Sequence, residues 1–387
     1  MKLHIFNPEN DLALADGGFS YCPPPAAMRI ANELASLPLW YAGEDSVVAL
    51  PEEHIAFRDT MATKFALPSL YFPFMRQSVT VFSPWGWSAQ MRHRLFKAMG
   101  FDKALLPTDA EIERMRNLSS RVLTIDILTA LRDAGIDTPP LPQYMTSLDD
   151  VITFVSSCDR CVVKAPWSGS GKGIMWGIGR AEEPLVHFCK GIIKRQGGVV
   201  CEHFLNSRQE FAMEFLVCGN TVSFAGYSLF TTDNGSYVGN LLAPDEEIEN
   251  QLSQYITPET LSAVKEHLCT VMQRLLAGSG YQGYFGVDMM IYDNGNGCRL
   301  NPCMEVNLRM NMGVVSRLFY DRFVSPGGKG IYRVAFFKQQ GEAWQYHTQM
   351  QAKHPLIVEN GRILQGYVTL SPVTSGNHYI AYAIIER

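Results

Sequence analysis

Cys303-Met-Glu-Val-Asn-Leu-Arg309 is the stretch on which the reading of this chain turns. In an extended strand successive side chains point to opposite faces. One face then carries Glu305, Asn307 and Arg309, and the other carries Met304, Val306 and Leu308. The second set suits a core. The first places a carboxylate, an amide oxygen and a guanidinium in a row. Oxygen ligands suit Mg²⁺, which proteins hold through one or two carboxylates plus substrate phosphates. A guanidinium suits a phosphate or a developing oxyanion.

The segment upstream supplies a matching acid. Gly283-Tyr-Phe-Gly-Val-Asp-Met-Met290 is an apolar strand interrupted by Asp288, and Asp293-Asn-Gly-Asn-Gly297 behind it is a hairpin signal. The hairpin brings Asp288 beside the Glu305 strand. A buried acid without a partner is costly, and a shared cation is one way to relieve that cost. A solvated outer face is the competing reading for each acid taken alone.

Two further elements lie earlier. Lys164-Ala-Pro-Trp-Ser-Gly-Ser-Gly-Lys-Gly173 is a strand-borne lysine followed by a glycine-rich loop. Such a loop lets backbone N–H groups approach a polyphosphate. It is not a Walker loop, because Pro stands at 166 and Gly at 173 where that motif needs Gly and Ser or Thr. Val199-Val-Cys-Glu-His-Phe-Leu205 is an apolar strand ending in an acid, with Glu210 beyond it.

These four elements, in this order over roughly residues 110 to 335, resemble the ATP-grasp superfamily, and the carboxylate-amine ligases in particular. The resemblance implies a mixed α/β and α+β chain. A pre-ATP-grasp α/β domain would span 1–110, a central lobe 111–200, and a C-terminal lobe with its tail 201–387. It implies ATP bound through Lys164, the loop residues Ser168, Gly169, Ser170, Gly171 and Gly173, the adenine-side acid Glu202, the hinge His203, Phe204 and Leu205, and the ribose acid Glu210. Asp288, Glu305 and Asn307 would hold Mg²⁺, with Mn²⁺ as an alternative, and Arg309 would face the transferred phosphoryl group. A basic residue belongs on the helix before the central lobe, where Arg121 is the nearest candidate. The implied reaction phosphorylates a carboxylate of a small molecule or short peptide, and an amine attacks the acyl phosphate. An ATP-binding regulatory or scaffold module, or a phosphotransferase, remains the alternative. Substrate contacts are sought in Asn7, Asn10, Trp87 and Arg317, for which turn formation and domain packing are the competing explanations.

The bulk numbers agree. The chain has 387 residues, 47% hydrophobic and 18% charged, which is ordinary globular composition. Its net charge of −5, without a basic block, argues against nucleic acid or an anionic membrane as partner. No signal-like or membrane-length apolar run is present, so a cytoplasmic location is expected. A homodimer is left open. Several of the nine cysteines sit in apolar strand-like runs and read as buried thiols of a reducing compartment, and Cys158 and Cys161 lack the second ligand pair that a zinc site needs.

Overall fold

The computed structural model describes all residues except 69, 73–75, 170–172, 234–235 and 387. Four sheets organise the described residues. The first is parallel, in the order Leu70–Phe72, Val47–Ala49, Lys2–Ile5, Val81–Pro84. Its hydrophobic strands pack Leu3, Ile5, Val47 and Phe82 against Met91 and Leu95. Ser88 caps the helix Ala89–His93 by accepting from the Met91 amide at 3.1 Å, as its sequence position predicts. The helix Pro25–Glu33 ends before the next proline. Pro38 then sits in a short 3₁₀ turn, Leu37–Trp40, that buries Trp40.

The second sheet is antiparallel: Gln143–Met145, Val199–His203, Cys161–Lys164, Ile174–Gly177. One face, with Val163, Cys161, Val199 and Cys201, packs on the helices Leu148–Ser157 and Glu183–Gln196. Alternation therefore turns Val162, Lys164, Glu202 and Trp176 to the other face.

The third sheet, Thr221–Ser228, Asn206–Cys218, Gly283–Asp293, Cys298–Asn307, is also antiparallel. Phe211, Met213, Phe215, Phe285, Val287 and Val306 form its core face, against the helices Leu123–Asp133 and Pro258–Leu276. The expected hairpin forms, with Asp293 opposite Cys298. Opposite Asp288 and Met290 stand Glu305 and Asn301, so the edge strand bulges around Pro302, where a residue without an N–H is tolerated. Before this sheet in the chain come two separate helices, Asp109–Leu118 and Leu123–Asp133. Both pack on this third sheet's core rather than on the second sheet.

A fourth, six-stranded sheet holds the tail, and the helix Met312–Phe323 lies between it and the third sheet. Phe319 and Phe323 of that helix meet Trp40 edge-on, tying the first 40 residues to the rest. No helix among the described residues is long and apolar enough to cross a membrane.

Candidate functional site

The third sheet's second face carries the acids. Strand register places Asp288 directly between Ala212 and Glu305, and Gly286 between Glu214 and Asn307. Residues directly opposite share a face, so Glu210, Glu214, Asp288, Glu305 and Asn307 all look the same way. The Asn307 amide donates to Asp288 Oδ2 at 3.0 Å, and its oxygen accepts from Arg309 Nη2 at 2.9 Å. The three residues assigned to Mg²⁺ are thus brought together. Burial, and then the charge of Glu305, push the Asp288 carboxyl up to about 7. A buried acid held back from ionising, with a second carboxylate directly opposite, is a fitting seat for a divalent cation.

The second sheet faces them with its cation. Lys164 is 5% exposed and pairs with Glu202 at 2.7 Å across adjacent strands. Lys164 also opposes the burial that raises the Glu210 carboxyl. The glycine loop follows: the Ala165 amide donates to the Gly173 carbonyl at 2.8 Å, closing its base. Gly173 has φ of 75°, and a side chain there would strike Ser168. Ser170 and Gly171, assigned to phosphate, lie outside the described residues.

Arg121 joins the two sheets. It occupies the break between the two helices, is 3% exposed, and donates to Ala165 O at 2.9 Å, Ser168 Oγ at 2.5 Å and Glu305 Oε2 at 3.0 Å. The basic residue sought near the phosphates is therefore at the junction of the glycine loop and the assigned metal strand.

The hinge residues line a second cavity of about 280 Å³, counting its open mouth, with Glu202, His203, Leu205, Asn301 and Cys303 on one side and Leu128 and Pro139, Pro140 and Pro142 on the other. The Phe204 amide is spent on the Arg160 carbonyl at 3.2 Å, and the Phe204 ring lies under the Arg160 guanidinium. His203 turns toward Cys158, 3.6 Å away.

The four residues proposed for substrate are engaged elsewhere. Asn7 donates to the Gly86 carbonyl at 2.9 Å. Asn10, with its amide nitrogen toward the same turn, donates to Gly86 and Trp87 carbonyls at 3.1 and 3.2 Å. Trp87 packs against two of the cores. Arg317 is held by the Ala243 carbonyl, Asp245 and Asp321. These contacts favour the packing explanation for all four.

Asp11, one residue beyond Asn10, is the group that sequence reasoning passed over. Both its oxygens accept from Arg309, Nε to Oδ1 at 2.6 Å and Nη2 to Oδ2 at 2.7 Å. Asp11, Arg309, Glu305, Asn307, Ser168 and Trp167 line one cavity of about 280 Å³, again with its mouth. The available signal was positional: Asp11 follows the first parallel strand, and open α/β sheets bind ligands beyond the carboxyl ends of their strands. Glu214 was also missed. It is 1% exposed, and its Oε2 accepts from Asn311 at 2.8 Å. A lone acid in the apolar run Phe211 to Val217 was the same signal that singled out Asp288.

Solved structures give the comparison. N5-carboxyaminoimidazole synthetase from Staphylococcus aureus aligns over 100% of this chain and 93% of its own, at 12% identity and a TM-score of 0.51. A biotin carboxylase complex with β,γ-ATP from Campylobacter jejuni aligns over 100% and 87%, at 11% identity and 0.51. The biotin carboxylase domain dimer of Hydrogenobacter thermophilus 2-oxoglutarate carboxylase, with MgADP, ADP and bicarbonate, aligns over 100% and 86%, at 14% identity and 0.51. No protein-family model and no curated sequence matches.

Proposed function

We propose that this chain, which has the ATP-grasp fold, is an ATP-dependent ligase that phosphorylates a substrate carboxylate and couples the acyl phosphate to an amine, releasing ADP and phosphate. The observation that carries the reading is that Arg121 and Arg309, from separate elements, reach Glu305 and Asn307 of the row that also holds Asp288, while Lys164 on the second sheet acts on Glu210 of the same face. A cation cluster facing an oxygen-ligand row suits a triphosphate with its metal. A decayed binding module has no need of that row and of Arg309 together.

Asp288 and Glu305 would hold Mg²⁺, with the Asn307 amide oxygen beside them; bound there, the ion would neutralise phosphate charge. The chain's own groups do the rest. Lys164 attracts the phosphates, and its partner Glu202 lies on the wall of the hinge cavity, where an adenine amino group finds an acceptor. Arg121 ties the glycine loop to Glu305, so movement of either is felt by the other. Arg309 stabilises charge on the phosphoryl group as it moves to the carboxylate. Leu14, Trp167 and Leu308 line the same cavity and help keep water from the intermediate.

The test is ADP release from MgATP in the presence of acetate, succinate, bicarbonate or each of the twenty amino acids, with hydroxylamine added to trap acyl phosphates as hydroxamates. At least one carboxylate should yield ADP and hydroxamate in equal amounts. Tight MgATP binding with no hydroxamate from any of them would refute the ligase reading.

A further inference from the structure

Each cation of the site is paired with an acid from another element: Lys164 with Glu202 at 2.7 Å, Arg121 with Glu305 at 3.0 Å, and Arg309 with Asp11 at 2.6 Å. Under the ligase reading, on which this inference rests, ligands exchange such pairs for better ones. Phosphates draw the cations, the metal takes Glu305, and an adenine amino group satisfies Glu202. Asp11 is left without a counterpart on MgATP.

The donor count on Arg309 makes the exchange unavoidable. A guanidinium has five N–H donors. Nε and one Nη2 hydrogen go to Asp11, the other Nη2 hydrogen goes to Asn307, and one Nη1 hydrogen goes to the Met310 carbonyl at 3.2 Å. One donor is left among the described residues. Arg309 cannot grip a phosphoryl group with two parallel bonds while Asp11 holds its fork. When it turns to the phosphoryl group, Asp11 remains in the cavity wall, 19% exposed, as a carboxylate short of donors. Such a group needs a cation or an N–H.

Asp11 cannot withdraw far. A side-chain carbon on Gly169 would sit 3.0 Å from its Oδ2, so the glycine loop abuts it. Behind it, Asn7 and Asn10 grip the Gly86 turn, and the Trp85 carbonyl accepts from the Met310 amide at 2.8 Å. The N-terminal segment is therefore braced directly against the residue that follows Arg309.

We infer that Asp11 receives the amine substrate and serves as its proton acceptor. The amine docks as its ammonium form with an N–H on Asp11, which takes that proton and frees the lone pair toward the acyl carbon. The lone pair forms the C–N bond, and the C–O bond to phosphate breaks with its electron pair leaving on phosphate. Asp11 passes the proton it took to the departing phosphate, which restores the carboxylate, and the second proton of the nitrogen is lost to solvent as the amide forms.

Methylamine and hydroxylamine test this. Each has two heavy atoms, so both reach the same place, but at pH 8 methylamine is protonated and hydroxylamine is not. With a carboxylate that supports turnover, hydroxamate and methylamide formation by Asp11→Asn are each compared with wild type. Asp11→Asn should lower methylamide formation by about 10²- to 10⁴-fold more than hydroxamate formation, the range of general-base contributions. Asp11→Glu, which keeps the charge, should recover part of the methylamide rate. Equal loss of both products would show that Asp11 merely positions Arg309, and loss of neither would remove it from the reaction; each overturns the inference and leaves the ligase reading standing. Absence of hydroxamate from wild type overturns both.

Discussion

Glu214 gives the sharpest quantitative prediction. Its carboxyl is 1% exposed, opposite Gly286 and bonded to Asn311, and no cation pairs with it among the described residues. A side chain on Gly286 or Gly313 would collide with it, so the two glycines make its room. Burial pushes it from 4.5 up to about 8; the Asn311 hydrogen bond opposes this, and the Asp288 charge adds to it. The folded state therefore holds a proton that the unfolded state has released between those values. Stability from this group is fully present below pH 4.5 and is lost as pH climbs toward 8. Each factor of ten in proton affinity is worth about 1.4 kcal/mol, so the interval from pH 5 to about 8 is worth about 4 kcal/mol. Glu214→Gln keeps the shape and removes the titration. In urea unfolding with a chelator present, the variant should gain about 4 kcal/mol on wild type between pH 5 and pH 9. A stability difference that stays flat across that range would refute the burial argument, because the comparison cancels the titrating groups that are not coupled to Glu214.

Three further outcomes are expected. Lys164→Ala should raise the MgATP dissociation constant clearly, whereas Arg309→Ala should leave it within a few-fold and lower product formation by about 10²- to 10³-fold; calorimetry beside the hydroxamate assay separates the two. Arg121→Ala leaves Ser168 and Glu305 without their shared donor, and should cost about 3 kcal/mol of stability in denaturant titration while speeding amide exchange at Ser168 and Gly169. ATP with Mg²⁺ should raise the melting temperature and ATP with a chelator should raise it far less; Glu305→Gln should abolish that difference.

Much of the site could be read from the chain because it rests on period-two alternation. Val306 and Leu308 are buried where the alternation puts them, and Asp288 stands opposite Glu305 as the Asn-Gly hairpin required. What stayed hidden had no local signature. Arg121 sits in a break within a helical run whose apolar spacing continues across the gap, so periodicity alone joined the two helices. Asp11 and Arg309 are 298 positions apart, and a pair so distant leaves no trace in spacing. Lys164 and Glu202 were assigned separately to phosphate and adenine, although cross-strand pairing makes them partners when no ligand intervenes. The substrate candidates show the opposite case: asparagines beside a Trp-Gly-Trp turn signal turn bracing as strongly as binding.

The central claim is that phosphate passes from ATP to a substrate carboxylate on this site, and isotope transfer tests it most directly. A carboxylate that supports turnover is supplied with ¹⁸O in its carboxyl group, and the released inorganic phosphate is analysed by mass spectrometry. Acyl phosphate formation predicts one ¹⁸O in each phosphate released with product, since the bridging oxygen leaves with phosphorus when the amine attacks. Phosphate that carries no label, released in step with product, would contradict the account.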